Sequence, residues 1–267
     1  MVVTLLTDYG SGDEFVGVCH GVIRRIAPDV PIVDVTHGIV RHGVRHGAIV
    51  LANALPYLPV GVHVAVVDPQ VGTERRAVAV RCADGRLLVG PDNGVLSLAA
   101  ERAGGAVEAV DVSRSPHRLE PVSATFHGRD VFAPVAAHLA AGAELADAGD
   151  PLAAGELSAL ELPSPEVGGS EAVAHALLVD GFGNVSLDLR HEHLLGLGVT
   201  LGGRARVEVG GRRRDALFVQ TFADVPVGEL LVYEDAWGAV ALAVNRGDAA
   251  AELGVRADDE IRIAPAS

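Results

Sequence analysis

No lysine occurs in this chain; all 21 basic residues are arginines. That absence removes the lysine of a phosphate-binding P-loop and any Schiff-base nucleophile. Two cysteines, Cys19 and Cys82, are too few for a disulfide framework, and both are read as reduced, buried thiols. Although 49% of the residues are hydrophobic, no apolar run is long enough to span a bilayer. Met1 to Asp8 show neither a cationic leader nor a small-residue cleavage site, so a cytoplasmic location is expected. Positive charge is scarce. With 35 acidic residues the net charge is −14, which argues against nucleic acid or an acidic membrane as a partner. The one basic run, Arg212 to Arg214 after Gly210-Gly211, reads as a solvated hairpin tip.

At 267 residues the chain holds one large or two smaller domains. Its texture changes part-way. Up to about residue 150, short apolar strands (Val2 to Leu6, Ile32 to Val35, Val62 to Val67) alternate with helical patterns. Phe15, Val18, Cys19, Val22, Ile23 and Ile26 make an apolar stripe at helical spacing. Val44 to Leu55 is a second helix, stopped by Pro56, and residues 129 to 142 form another that ends at a glycine. This alternation predicts an α/β domain with a parallel sheet. Residues 151–171, rich in Ala, Gly, Pro, Ser and Glu, read as a linker. From 172 to 267, seven short strands with Gly-rich punctuation predict a smaller antiparallel β domain, a barrel or a sandwich.

The third apolar strand ends abruptly in Asp68-Pro69, and the loop goes on through Gly72 to Arg75-Arg76. In open α/β sheets the ligand crevice lies outside the carboxyl ends of the strands, so a carboxylate and a guanidinium reach one rim together. Thr7-Asp8-Tyr9-Gly10-Ser11-Gly12 follows the first strand and opens a helix. It does not complete the G-x-G-x-x-G dinucleotide pattern; Asp8 precedes the glycines, where a carboxylate suits a pair of ribose hydroxyls. His127, beside Gly128 at the start of a helix, suits proton transfer or ligand contact. Gly90-Pro91-Asp92-Asn93-Gly94 is a strand-to-helix turn. Farther on, Asp180-Gly181-Phe182-Gly183-Asn184 and Val244-Asn245-Arg246-Gly247 offer a ring and amides suited to an adenine base. Eleven histidines invite a metal reading, chiefly through His37 and the His42/His46 pair, but the glutamate of H-E-x-x-H is missing.

Taken in order, these motifs, with Val33-Asp34-Val35-Thr36-His37 and Phe126-His127-Gly128-Arg129-Asp130, resemble the S-adenosylmethionine (SAM) hydroxide adenosyltransferases, relatives of the fluorinase and chlorinase. The resemblance runs from residue 4 to about 263. It implies an α/β domain followed by a β-barrel domain, and a homotrimer whose active sites lie between subunits. The implied reaction is attack of water-derived hydroxide on C5′ of SAM, giving adenosine and L-methionine with no metal or other cofactor. The resemblance places the catalytic residues on Asp68, Arg75 and His127, and the ribose contact on Asp8. Adenine contacts fall near Phe182, Asn184, Phe222 and Asn245, with Asp180 and Arg246 candidates for the amino-acid end.

The halogenase alternative is disfavoured by two departures. The halogenases carry a serine at the position matching Gly128, and the fluorinase has tyrosine where this chain has Asp68. A carboxylate in a halide pocket repels the anion. Residues 101 to 120 also lack a long insertion like the fluorinase's, which falls a little earlier in that enzyme. In the hydrolase reading Asp68 and His127 share the proton taken from water, while Arg75 stabilises the developing hydroxide and orients Asp68. Two other classes stay open: a non-catalytic adenosine- or SAM-binding module and a metallohydrolase, the latter sensitive to chelators.

Overall fold

A computed structural model describes residues 1–266. The chain divides into two compact units, Met1–Leu160 and a second that begins at Glu161. The first unit runs through β1 (Val3–Thr7), α1 (Phe15–Ile26), β2 (Ile32–Thr36), α2 (Val44–Ala54), β3 (Val62–Val66), β4 (Ala77–Cys82) and β5 (Leu87–Pro91). It continues with α3 (Ser97–Arg102), β6 (Ala106–Asp111), α4 (Ala133–Ala140) and β7 (Asp150–Leu152). Its strands form one sheet in the order β2-β1-β3-β5-β4-β6-β7.

The pairings β2·β1, β1·β3 and β3·β5 are parallel, whereas β5·β4, β4·β6 and β6·β7 are antiparallel. The expected parallel sheet is thus the half that carries the candidate residues. An antiparallel extension is grafted onto it by the tight turn between β4 and β5. Alternation along the strands feeds two apolar layers. Val3, Leu5, Val62 and Val64 pack with Cys19 and Ile23 of α1 and with Val135 of α4. Leu6, Ala65 and Val67 pack on the other face with Leu51 of α2 and Ala99 of α3.

The helix read over 129 to 142 is interrupted. A wider, π-type turn spans Gly128–Phe132 before α4 begins. Pro134 has no N–H to offer the Asp130 carbonyl four residues back, and that carbonyl accepts from Leu119 N at 2.8 Å instead. The 151–171 segment is tied down at both ends. β7 pairs with β6, and Ser158 N donates to Asp92 Oδ1 at 2.7 Å, which holds the chain on the first unit up to Leu160. Beyond it, residues 166–168 already pair within the second unit.

The second unit holds β8 (Glu166–Gly168), β9 (Glu171–Val179), β10 (Val185–Leu187), α5 (His191–Gly196), β11 (Arg204–Val209) and β12 (Arg212–Phe218). β13 (Leu230–Glu234), β14 (Val240–Val244), α6 (Ala249–Leu253) and β15 (Glu260–Pro265) complete it. The order β10-β14-β13-β12-β11-β15-β9 closes on itself through β9·β10, giving a seven-stranded barrel with β8 appended to β9. Its interior is filled by inward residues of alternate register, among them Ala176, Leu187, Val207, Phe218, Leu242 and Ile263. One pairing corrects the antiparallel expectation: β12 and β13 run parallel, with Leu217 opposite Leu231 and Phe218 opposite Val232. The connection between them is a longer crossover with a helical turn at Phe222–Asp224, so the strand re-enters in the same direction. Arg212 to Arg214 open β12 at an exposed hairpin tip, as the sequence indicates. Among the described residues no helix is long and apolar enough to cross a membrane.

Candidate active site

β3 ends at Val66, and Asp68 emerges two residues later at the carboxyl edge of the sheet. The backbone there is pinned by Asn93, whose Nδ2 donates to the Val67 carbonyl at 2.8 Å. Gly72 turns the loop at φ 80°, where a β-carbon would lie 2.5 Å from the Ala124 carbonyl oxygen; only glycine fits. The loop then returns Arg75 to the strand tip. Its Nε donates to both Asp68 oxygens at 3.0 Å, and Nη2 makes a close ion pair with Oδ2. The same Nη2 donates to His127 Nδ1 at 2.8 Å. The Arg75 and Asp68 side chains are only 5% and 6% exposed, and the guanidinium sits 5.4 Å from the centre of the buried Phe132 ring.

This geometry fixes the protons. Arginine is always protonated, so His127 Nδ1 is the acceptor and a neutral ring carries its hydrogen on Nε2. Burial, and next the Arg75 charge, hold His127 below the ordinary histidine range, so it is neutral at pH 7. The expected sharing of a proton between Asp68 and His127 is therefore revised. Arg75 stands as the link between them, and His127 has only Nε2 left to present.

A cavity of about 250 Å³ opens on Asp68 and His127, with Asp8, Tyr9, Phe15 and His42 on its walls. Asp8 Oδ2 accepts from the His42 backbone N–H at 2.8 Å, which anchors the carboxylate on the cavity wall. Tyr9 was not singled out by the sequence. It packs against Phe15 and Phe126 at 5.8 and 5.9 Å, and burial pushes its hydroxyl well above the usual tyrosine range. Of the two loop arginines only Arg75 reaches Asp68; Arg76 bonds Asp92 and the Glu156 carbonyl. His42 and His46 do not make the helical metal pair considered above. His42 lies before α2 at φ 65°, and His46 Nδ1 accepts from Val40 N at 3.2 Å.

The remaining candidates lie on loops of the barrel unit. Asp180 organises the β9–β10 turn: its oxygens accept from Phe182 N, Asn184 N and Asn184 Nδ2 at 2.8 to 2.9 Å. Phe182 is left 82% exposed at the tip. Phe222 packs on Tyr233 at 5.1 Å, Asn245 Nδ2 donates to the Val225 carbonyl at 2.8 Å, and Arg246 holds a left-handed φ of 58°. The candidates thus fall into two sets, one on each unit.

Comparison with known proteins decides the family. Models of the SAM hydroxide adenosyltransferase N-terminal and C-terminal domains match residues 3–149 and 174–262. The chain belongs to the SAM hydroxide adenosyltransferase family. It is 50% identical over 263 residues to the (R)-S-adenosyl-L-methionine hydrolase of Salinispora tropica, covering 98% of this chain and 97% of that one. Identity to the fluorinase of Nocardia brasiliensis is 29% over 289 residues, covering 98% and 96%. The crystal structure of an uncharacterized conserved protein from Thermotoga maritima matches with a TM-score of 0.91 at 38% identity, covering 98% of this chain and 100% of that one.

Proposed function

We propose that this protein hydrolyses S-adenosyl-L-methionine, with water attacking C5′ to give adenosine and L-methionine. The observation that carries the proposal is the hydrogen-bonded series Asp68–Arg75–His127, whose two ends line one cavity with Asp8. The sulfonium is already a good leaving group, so the step calls for no general acid. As the bond from water oxygen to C5′ forms, the C5′–S pair passes to sulfur, which becomes the neutral thioether of methionine. Asp68 still has lone pairs beside those taken by Arg75 and accepts the proton leaving water. His127 Nε2–H and the Arg75 charge stabilise the developing hydroxide. Asp8 holds the ribose hydroxyls.

The relatives' name adds a stereochemical point. Since "L" specifies the amino-acid carbon, the prefix "(R)" refers to the sulfonium, and the proposed substrate here is that epimer. The halogenase alternative is weaker, because the fluorinase is the more distant relative and both Asp68 and Gly128 depart from the halogenase pattern.

The proposal extends to assembly. A cavity of about 250 Å³ is smaller than the roughly 300 Å³ at the low end of ligand sites. The ring and amide candidates for adenine lie on the other unit, and Phe182 is exposed there. A homotrimer in which the barrel unit of one subunit completes the site of the next accounts for both facts. Free, buried Cys19 and Cys82 suit a cytoplasmic enzyme. Incubating the protein with each sulfonium epimer and separating the products tests the activity. Adenosine and methionine in equal amounts, faster from the (R) epimer, are expected; binding without turnover would make this a non-catalytic SAM-binding module.

A further inference from the structure

α1 passes over the sheet beside its edge strand β2, and its flank carries His20. Asp34 of β2 stands opposite Leu5 of β1, a residue of the apolar layer that α1 covers, so the carboxylate faces that helix. The ladder then shifts register between Leu5 and Leu6, which re-aims the end of β2 and brings His37 back toward the same point. His20 Nε2 lies 2.8 Å from Asp34 Oδ1, and His37 Nε2 lies 3.0 Å from the same oxygen. The three ligand-type atoms all lie within 4.8 Å of one another.

Two further observations set this cluster apart from a chance surface grouping. The His37 side chain is 11% exposed, and its buried Nε2 faces the Asp34 carboxylate, 3.0 Å from Oδ1, with no other hydrogen-bond partner among the described residues. The other ring nitrogen is fixed: Nδ1 lies 2.9 Å from Thr7 Oγ1, and that hydroxyl oxygen accepts from Tyr9 N at 3.2 Å. A histidine whose Nδ1 is held by an oxygen while Nε2 points at a carboxylate is arranged as metal-ligating histidines are. We infer that His20, Asp34 and His37 bind one divalent transition-metal ion of the zinc or cobalt class, away from the cavity that holds Asp68.

Two imidazoles and one carboxylate suit zinc, cobalt, nickel or copper and not calcium or magnesium. Bonds of about 2.0–2.2 Å to a tetrahedral ion set neighbouring ligand atoms roughly 3.3–3.5 Å apart. The observed 2.8 and 3.0 Å open to that spacing through small rotations of the His20 and Asp34 side chains. The His20 and Asp34 side chains are 33% and 40% exposed, which gives the ion an entry path and a water its fourth position. Occupancy bears on the loop after β1. His37 accepts from Gly10 N through its carbonyl at 2.8 Å and contacts Thr7, so a bound ion stiffens the segment that carries Asp8 and Tyr9.

The test uses tag-free full-length protein, stripped with a chelator and dialysed against zinc or cobalt, with metal content and the visible cobalt spectrum as readouts. One equivalent of zinc and the absorption of tetrahedral or five-coordinate cobalt are expected, with calcium and magnesium failing to compete. His20→Ala and Asp34→Asn remove exposed ligands and are expected to weaken zinc binding by about tenfold or more while circular dichroism stays unchanged. A control, His46→Ala, is expected to bind as wild type. Wild-type protein that retains no zinc, or His20→Ala and Asp34→Asn proteins that bind as tightly as wild type, would overturn the inference. No readout depends on hydrolysis of SAM, so failure here leaves the proposed activity standing.

Discussion

The hydroxyl of Tyr9 fills the space that a side chain on Gly128 would need. A β-carbon built at 128 falls 2.2 Å from Tyr9 Oη and 3.1 Å from its Cζ. Tyr9 is held from behind by Phe15 and Phe126, so it has little room to yield. Gly128→Ala is therefore expected to cost about 1–3 kcal/mol through overpacking. Tyr9→Phe removes the nearest atom and is expected to restore part of the loss. Urea denaturation of the two single variants and the double variant measures this; additive losses would show that the two residues do not interlock.

Asp68 and Asp8 are expected to fail in different ways. Asp68→Asn keeps the shape at the strand tip and is expected to slow hydrolysis by roughly 10²-fold or more, while adenosine binding changes little. Asparagine is the cleaner choice, because its amide oxygen still accepts from Arg75, whereas alanine leaves that buried cation no acceptor at this position. Asp8→Ala is expected to weaken adenosine binding first. Calorimetry with adenosine, set beside turnover, separates the two; unchanged turnover in Asp68→Asn would remove that residue from the mechanism.

Acid sensitivity is built into the centre of the sheet. His63 of β3 is fully buried with Nδ1 3.0 Å from Thr4 Oγ1, and burial, then Arg86, bring its pKa down to about 4, with Asp84 opposing. The unfolded chain titrates near the ordinary value of about 6.5. Between those values the unfolded state binds more protons, so the contribution is complete above about 6.5 and is lost as pH falls toward 4. The shift corresponds to about 3 kcal/mol. Thermal melts from pH 7 to 4.5 are expected to show a falling Tm, with a flatter slope in His63→Leu. Equal slopes would exclude His63 as the cause.

The shared-site proposal predicts complementation. Asn184→Ala and Asp68→Asn chains, each impaired alone, are expected to regain activity when co-expressed, since one mixed interface unites an intact α/β unit with an intact barrel. No recovery in demonstrated hetero-oligomers would place the whole site within one chain.

Much of this was legible beforehand because it rests on local patterns. The apolar stripe from Phe15 to Ile26 gave α1, and the abrupt end of an apolar run gave Asp68 its place at a strand tip. The features that escaped depend on distant partners. Arg75 and Arg76 are adjacent and alike, and only the folded loop shows that Asp92 captures the second. Tyr9 gains its role from Gly128, far along the chain. His20 looks like an ordinary helix flank until Asp34 and His37 are brought beside it. The parallel pairing of β12 and β13 was missed, although the segment after Phe218 lacks the two-residue turn of a hairpin. The helix read over 129 to 142 passed over Pro134, whose missing N–H frees the Asp130 carbonyl.

The fate of the water oxygen tests the central claim most directly. Asp68 is balanced by Arg75, so exclusion of halide rests less on bare charge than on a committed guanidinium and a Gly128 that offers no hydroxyl. In ¹⁸O-water containing chloride or fluoride, the label is predicted in the 5′-hydroxyl of adenosine, with none in methionine and no 5′-halogenated nucleoside. Unlabelled adenosine, or a halogenated nucleoside formed at a comparable rate, would contradict the account.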